Sequence, residues 1–157
     1  MFQAIAQMEE EDADKVKVEP EECKSLPSIV NLDDAEAEQV AQAITPGLEV
    51  MILAMDKDAM SYDLGKLKEH RDKCGTSTRS MGERKETETL TPVDFDVDAG
   101  EVQAYKFLTT GGEEDYEAIS VSIMKGDTYL AFDLSETTDE ALGKLEELVN
   151  EVLGRLN

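Results

Sequence analysis

Residues 101–134 read EVQAYKFLTTGGEEDYEAISVSIMKGDTYLAFDL, and their pattern decides the fold. In Glu101–Thr109, Val102 and Ala104 alternate with Gln103 and Tyr105. In Glu117–Met124, Ile119, Val121 and Ile123 alternate with Ala118, Ser120 and Ser122. A side-chain period of two is that of a strand with two unlike faces. Gly111-Gly112 and Lys125-Gly126-Asp127 supply turns, and Thr128–Leu134 is a third strand. Two hairpins in succession predict an antiparallel meander.

Downstream, Thr137–Leu156 reads as a long helix. Thr137 with Glu140 has the spacing of a capping box. Leu142, Leu145, Leu148, Val149, Val152, Leu153 and Leu156 form one apolar face that must be covered, and the sheet is the available surface. The predicted class is therefore α+β: a two-layer sandwich with helices packed on one face of an antiparallel sheet.

Upstream, Thr76–Arg79 reads as a short strand, and Thr87–Phe95 as an edge strand because Pro92 cannot donate to a ladder. Ser61–Cys74 is a helix with Ser61 as N-cap and Leu64, Leu67 and Cys74 on one face. Leu48–Met55 is a compact apolar run of strand length, and Asp33–Ile44 reads as a helix with Ala37, Val40, Ala41 and Ile44 in a stripe, stopped by Pro46-Gly47. Val16 and Val18 start a strand that ends at Pro20, and a helix over Glu21–Leu26 follows, closed by Pro27. Residues 1–15 are expected to be a helical N-terminal extension, and residues 16–157 a single domain.

Among the 157 residues, 37 are Asp or Glu and 15 are Lys or Arg, a net charge of −22, while 40% are apolar. That apolar share suits a chain that folds. The acidity disfavours nucleic-acid binding, which needs cations to neutralise phosphates, and docking on an anionic membrane. No run approaches the roughly 18 apolar residues of a membrane span. The N-terminus, MFQAIAQMEEEDAD, lacks the basic region and apolar stretch of a signal peptide. The expectation is a cytoplasmic protein, or an exported one whose signal has been removed.

Three constellations bear on chemistry. Cys23 and Cys74 do not form a CxxC pair, and two thiols with one His make no ordinary zinc site. They are either two buried thiols or a bridge closing a loop of about 50 residues, which is worth roughly 4 kcal/mol by chain entropy. A cysteine nucleophile is disfavoured, because His70, the one candidate base, sits on a highly charged helix and reads as a surface residue. Asp94, Asp96 and Asp98 resemble the opening of a calcium loop, but Ala99 stands where that loop needs Gly and Tyr105 where it needs Glu. The alternatives are a weak metal site and a solvated strand end. Residues 66–85 carry a net charge of +4 inside this acidic chain. Arg71, Lys73, Arg79, Arg84 and Lys85 are thus candidates for binding an anionic group, against the alternative that they pair with neighbouring acids. No phosphate loop, nucleophile elbow or HExxH motif occurs, and no cofactor is expected.

The order Val18-x-Pro20-x-Glu22-Cys23-x-x-Leu26, then Cys74-Gly75-Thr76-x-Thr78, then Leu90-Thr91-Pro92, two hairpins and a long C-terminal helix resembles a known arrangement. It is similar to the exported sensor-like domains of actinobacterial lipoproteins, related to the extracellular domain of the mycobacterial serine/threonine kinase H. The resemblance covers residues 16–157 as order and spacing. It implies an exported or lipid-anchored domain with a cleft beside its sheet, no catalytic residues, and a ligand that is a small molecule, a cell-wall component or a protein. It also implies a Cys23–Cys74 disulfide. The chain differs from that family in having no second cysteine pair and no Trp. Two other readings compete: an acidic cytosolic protein of a salt-loving organism, and an acidic inhibitor or immunity-type protein that blocks a basic partner.

Overall fold

The computed structural model describes residues 16–24, 40–45, 48–60 and 63–156. Eight strands form one sheet in which every pairing is antiparallel: β1 (Lys17–Glu19), β2 (Val40–Thr45), β3 (Val50–Asp56), β4 (Thr76–Met81), β5 (Arg84–Pro92), β6 (Glu101–Thr110), β7 (Tyr116–Lys125) and β8 (Thr128–Leu134). Their spatial order is β1-β4-β5-β6-β7-β8-β3-β2. Among the described residues there are two α-helices, α1 (Leu64–Lys73) and α2 (Asp139–Arg155). The α+β class and the meander are thus as the alternating pattern predicts.

Strand parity sorts the core into two halves, because successive side chains leave a strand on opposite faces. Val50, Ile119, Val121, Ile123, Leu130, Phe132 and Leu134 share one face and pack with Ala141, Leu145, Val149 and Leu153 of α2. Met55 and Tyr129 point the other way and pack with Leu64 and Leu67 of α1. The two helices therefore lie on opposite faces of the sheet, which corrects the expectation of helices on a single face. The reason lies in the strands: β8 buries both Leu130 and its neighbour Tyr129, so both of its faces need a cover.

Other boundaries shift for identifiable causes. The predicted helix over Asp33–Ile44 fails where it can be seen, since Val40–Thr45 is a strand paired along its whole length with β3. Ladder pairing and the β-branched Val40, Ile44 and Thr45 outweigh a weak helical stripe. Residues 1–15 and 25–39 lie outside the described set, and with them the predicted N-terminal helix. Of the helix expected over Glu21–Leu26, the described part is a 3-10 turn over Glu21–Cys23, and residues 25 and 26 lie outside the described set. Pro92 ends an interior strand instead of marking an edge: β5 sits between β4 and β6, and the next amide, that of Val93, still donates to the Ala104 carbonyl of β6 at 2.9 Å. Asp63 caps α1, its carboxylate accepting the Lys66 amide at 2.8 Å. Thr138, not Thr137, caps α2 by accepting from the Ala141 amide. Thr137 instead donates at 2.7 Å to Glu117, which Lys106 also pairs with at 3.2 Å. The Thr137 hydroxyl and the Lys106 ammonium hold the Glu117 carboxyl below its ordinary pKa.

Candidate functional site

The site is built on the α1 face of the sheet, and β6 provides its foundation. Residues 103, 105 and 107 share that face, and each holds a part of α1. Gln103 is buried and its side-chain amide donates to the Leu64 carbonyl at 2.7 Å, fixing the helix N-terminus. The Tyr105 hydroxyl donates to Asp72 at 3.0 Å near the C-terminus. The Arg71 guanidinium lies over the Tyr105 ring, 5.0 Å from its centroid, and over the Phe107 ring at 5.8 Å. Burial, followed by the hydrogen bond to Asp72, raises the Tyr105 pKa. Lys68 and then Tyr105 lower that of Asp72. Both shifts favour the state in which phenol donates and carboxylate accepts.

The disulfide ties down the end of α1. Cys74 caps the helix and is bonded to Cys23, both sulfurs being buried. This link brings the 3-10 turn and the edge strand β1 against α1. Between the helix, the disulfide and the sheet lies a cavity of about 380 Å³. Its floor comes from residues of one parity: Val18 on β1, Ser77 and Arg79 on β4, Glu86, Glu88 and Leu90 on β5, and Phe107 and Thr109 on β6. Leu67, His70 and Arg71 of α1 form the opposite wall, with the two cysteines closing one side.

The structure divides the five basic candidates. Arg71 and Arg79 reach the cavity. Arg84 pairs with Glu86 at 2.6 Å beside it. Lys73 pairs with Glu69 on exposed helix surface. Lys85 has the opposite parity on β5 and so belongs to the other face. The expected single patch is thus resolved into two lining arginines and local ion pairs. His70, read as a surface residue, is half-buried in the cavity wall.

The aspartate trio is not gathered as a group of metal ligands among the described residues. Asp94, Asp96 and Asp98 are exposed in the extended segment between β5 and β6, while Val93, Phe95, Val97 and Ala99 alternate with them and pack on the α2 side of the core. Among the described residues, no group of three or more His, Cys, Asp or Glu side chains is placed to hold a metal ion. The period of two that suggested converging carboxylates is a consequence of the apolar partners facing inward.

Sequence reasoning missed Glu86, Glu88, Leu90, Phe107 and Thr109. A signal was present, since 86, 88 and 90 share a parity in an extended run, but its meaning needed the position of α1. Among the described residues no helix is long and apolar enough to cross a membrane. No family model, curated protein or solved structure matches the chain.

Proposed function

We propose that this chain is a non-enzymatic, exported or envelope-anchored domain that holds a small ligand in the cavity beside α1. The observation that carries the reading is the cavity itself: concave, of ligand size, with charged and polar groups converging on it beside the apolar Val18, Leu67, Leu90 and Phe107. The disulfide in its wall supports export, because such bonds persist in oxidising compartments and are rare in the cytosol. It also commits both thiols of the chain, which leaves no cysteine nucleophile. The order of elements from Val18 to the C-terminal helix, similar to that of the exported sensor-like domains, supports the same assignment. A cytosolic acidic protein would be expected to carry free thiols.

Two measurements test this. Alkylation of acid-trapped protein from cells, followed by intact mass, should add two alkyl groups only after reduction; two reactive thiols before reduction overturn export. A thermal-shift screen of cell-wall fragments, amino acids and lipid headgroups should return a stabilising compound. Its effect should vanish in Leu90→Trp and Thr109→Trp, which fill the cavity. No stabilising compound, or an equal shift in the filled variants, overturns the ligand site.

A further inference from the structure

The charges lining the cavity differ in how far they are already committed. Arg71 is engaged with the rings of Tyr105 and Phe107. Glu86 is engaged by Arg84. Glu88 and Arg79 are not: among the described residues, neither side chain has an ion pair or a hydrogen bond. Glu88 is half-buried and Arg79 is exposed. The register sets Ser77 opposite Glu88 and Arg79 opposite Glu86, so Arg79 and Glu88 are diagonal neighbours on one face. Diagonal positions lie roughly 7–8 Å apart, within reach of long side chains, yet Arg79 and Glu88 make no ion pair with each other, so a group can enter between the two charges. Leu67, Leu90 and Phe107 supply apolar wall in the same space.

A half-buried carboxylate with no cation among the described residues is a poor arrangement for a folded chain alone, and the exposed Arg79 near it has no anion among those residues. It is complementary to a ligand that brings both missing charges. The lining as a whole supplies two arginines and two glutamates, so it has no net preference for one sign. The surrounding protein, at −22, repels a purely anionic ligand. A volume of about 380 Å³ sits near the lower end of small-ligand sites, roughly 300–1,000 Å³. Resting on the reading of this cavity as a ligand site, we propose that it selects a zwitterionic amino acid or short peptide with an apolar side chain. The ammonium is set on Glu88, the carboxylate on Arg79, and the side chain against Leu90 and Phe107.

The test is a methyl-resolved NMR titration of the full, oxidised chain with four probes: L-phenylalanine, phenethylamine, 3-phenylpropionate and N-acetyl-L-phenylalanine amide. L-phenylalanine should move the Leu90 and Thr109 signals, with the three analogues weaker by roughly tenfold or more, the worth of a charged hydrogen bond. Glu88→Gln should weaken L-phenylalanine roughly tenfold and leave 3-phenylpropionate unchanged; Arg79→Gln should weaken L-phenylalanine and leave phenethylamine unchanged. Spectral dispersion checks that both variants fold. Equal binding of all probes, or full affinity in Glu88→Gln, overturns the zwitterion assignment while leaving the cavity as a ligand site. No shift from any probe at millimolar concentration also overturns it, whatever the broader compound screen returns.

Discussion

Breaking the Cys23–Cys74 link tests how the site is held together. The two cysteines are 51 residues apart in sequence. Chain-entropy arithmetic for a loop of that size gives about 4 kcal/mol of stability, all from constraining the unfolded chain. For a chain of this length, 1 kcal/mol shifts the midpoint by about 2–4 °C, so the expected loss is roughly 8–16 °C. The structure adds a local consequence. Strand β1 has three residues, and among the described residues it lies at the sheet edge with β4 as its single partner. Without the disulfide it is held by that short ladder and by the packing of Val18, so its amides should lose exchange protection ahead of β5 to β8. The assay is thermal unfolding by circular dichroism of the oxidised protein, the reduced protein and Cys23→Ala/Cys74→Ala, with amide exchange on the same samples. A midpoint within about 2 °C of the oxidised protein, with β1 still protected, would refute the argument.

Four further outcomes follow from individual residues. Thr138→Ala removes the α2 cap and should cost about 1 kcal/mol, measurable as a urea midpoint shift. Thr137→Ala should keep that cap and instead return the Glu117 pKa toward its ordinary value, since its first cause is the Thr137 hydroxyl. Gly111 has φ 89° and a Cβ built on it would lie 2.5 Å from the Lys85 carbonyl oxygen, so Gly111→Ala should destabilise by roughly 2 kcal/mol or more, with Gly82→Ala, which meets open space, costing less. Burial raises the pKa of Tyr129, and burial followed by the Asp72 bond raises that of Tyr105. As pH climbs past the ordinary phenol value of about 10, the unfolded chain ionises first, so stability falls there. Urea midpoints should drop less steeply in Tyr105→Phe/Tyr129→Phe than in the wild type.

What the sequence revealed depended on whether local pattern and tertiary demand agreed. They agree in β6, β7 and β8, where period-two alternation, glycine turns and ladder pairing point to one structure. They agree again in α2, whose buried positions Ala141, Leu145, Val149 and Leu153 repeat every four residues. They disagree at Val40–Thr45, where the partner strand decides. The sidedness of α1 was hidden for a subtler reason. Tyr129 and Gln103 look like the solvent-side residues of half-buried strands, yet Tyr129 packs under Leu64 and Leu67 while Gln103 anchors the Leu64 carbonyl. Polar residues that end buried with partners are indistinguishable in sequence from polar residues that face water. The cysteines show the converse: spacing left a bridge and two thiols equally open, and geometry joined them.

The cavity follows from a mismatch in size between the two layers on this face. A ten-residue helix is about 15 Å long and about 10 Å across, whereas neighbouring strands are about 4.8 Å apart, so α1 spans about two strand gaps of an eight-stranded sheet. Gln103, Tyr105 and Phe107 fix it over β6, and Leu64 and Leu67 commit it toward Tyr129 and Met55 on β8 and β3. Among the described residues no helix then packs on the α1 face of β5 and β4, and the side chains there are not those of a core: Glu86 and Glu88 alternate with Ser77 and Arg79 around Leu90. The disulfide closes the opposite flank by pulling the turn at Cys23 against Cys74, turning an uncovered strip of sheet into an enclosure. A helix long enough to cover β4 and β5 would have removed both the cavity and any use for its charges. The shortness of α1 and the placement of Cys74 at its last turn are therefore the two features on which the cavity depends, and, on the proposed reading of it as a ligand site, extending the helix past Cys74 would be expected to abolish binding before it abolished folding.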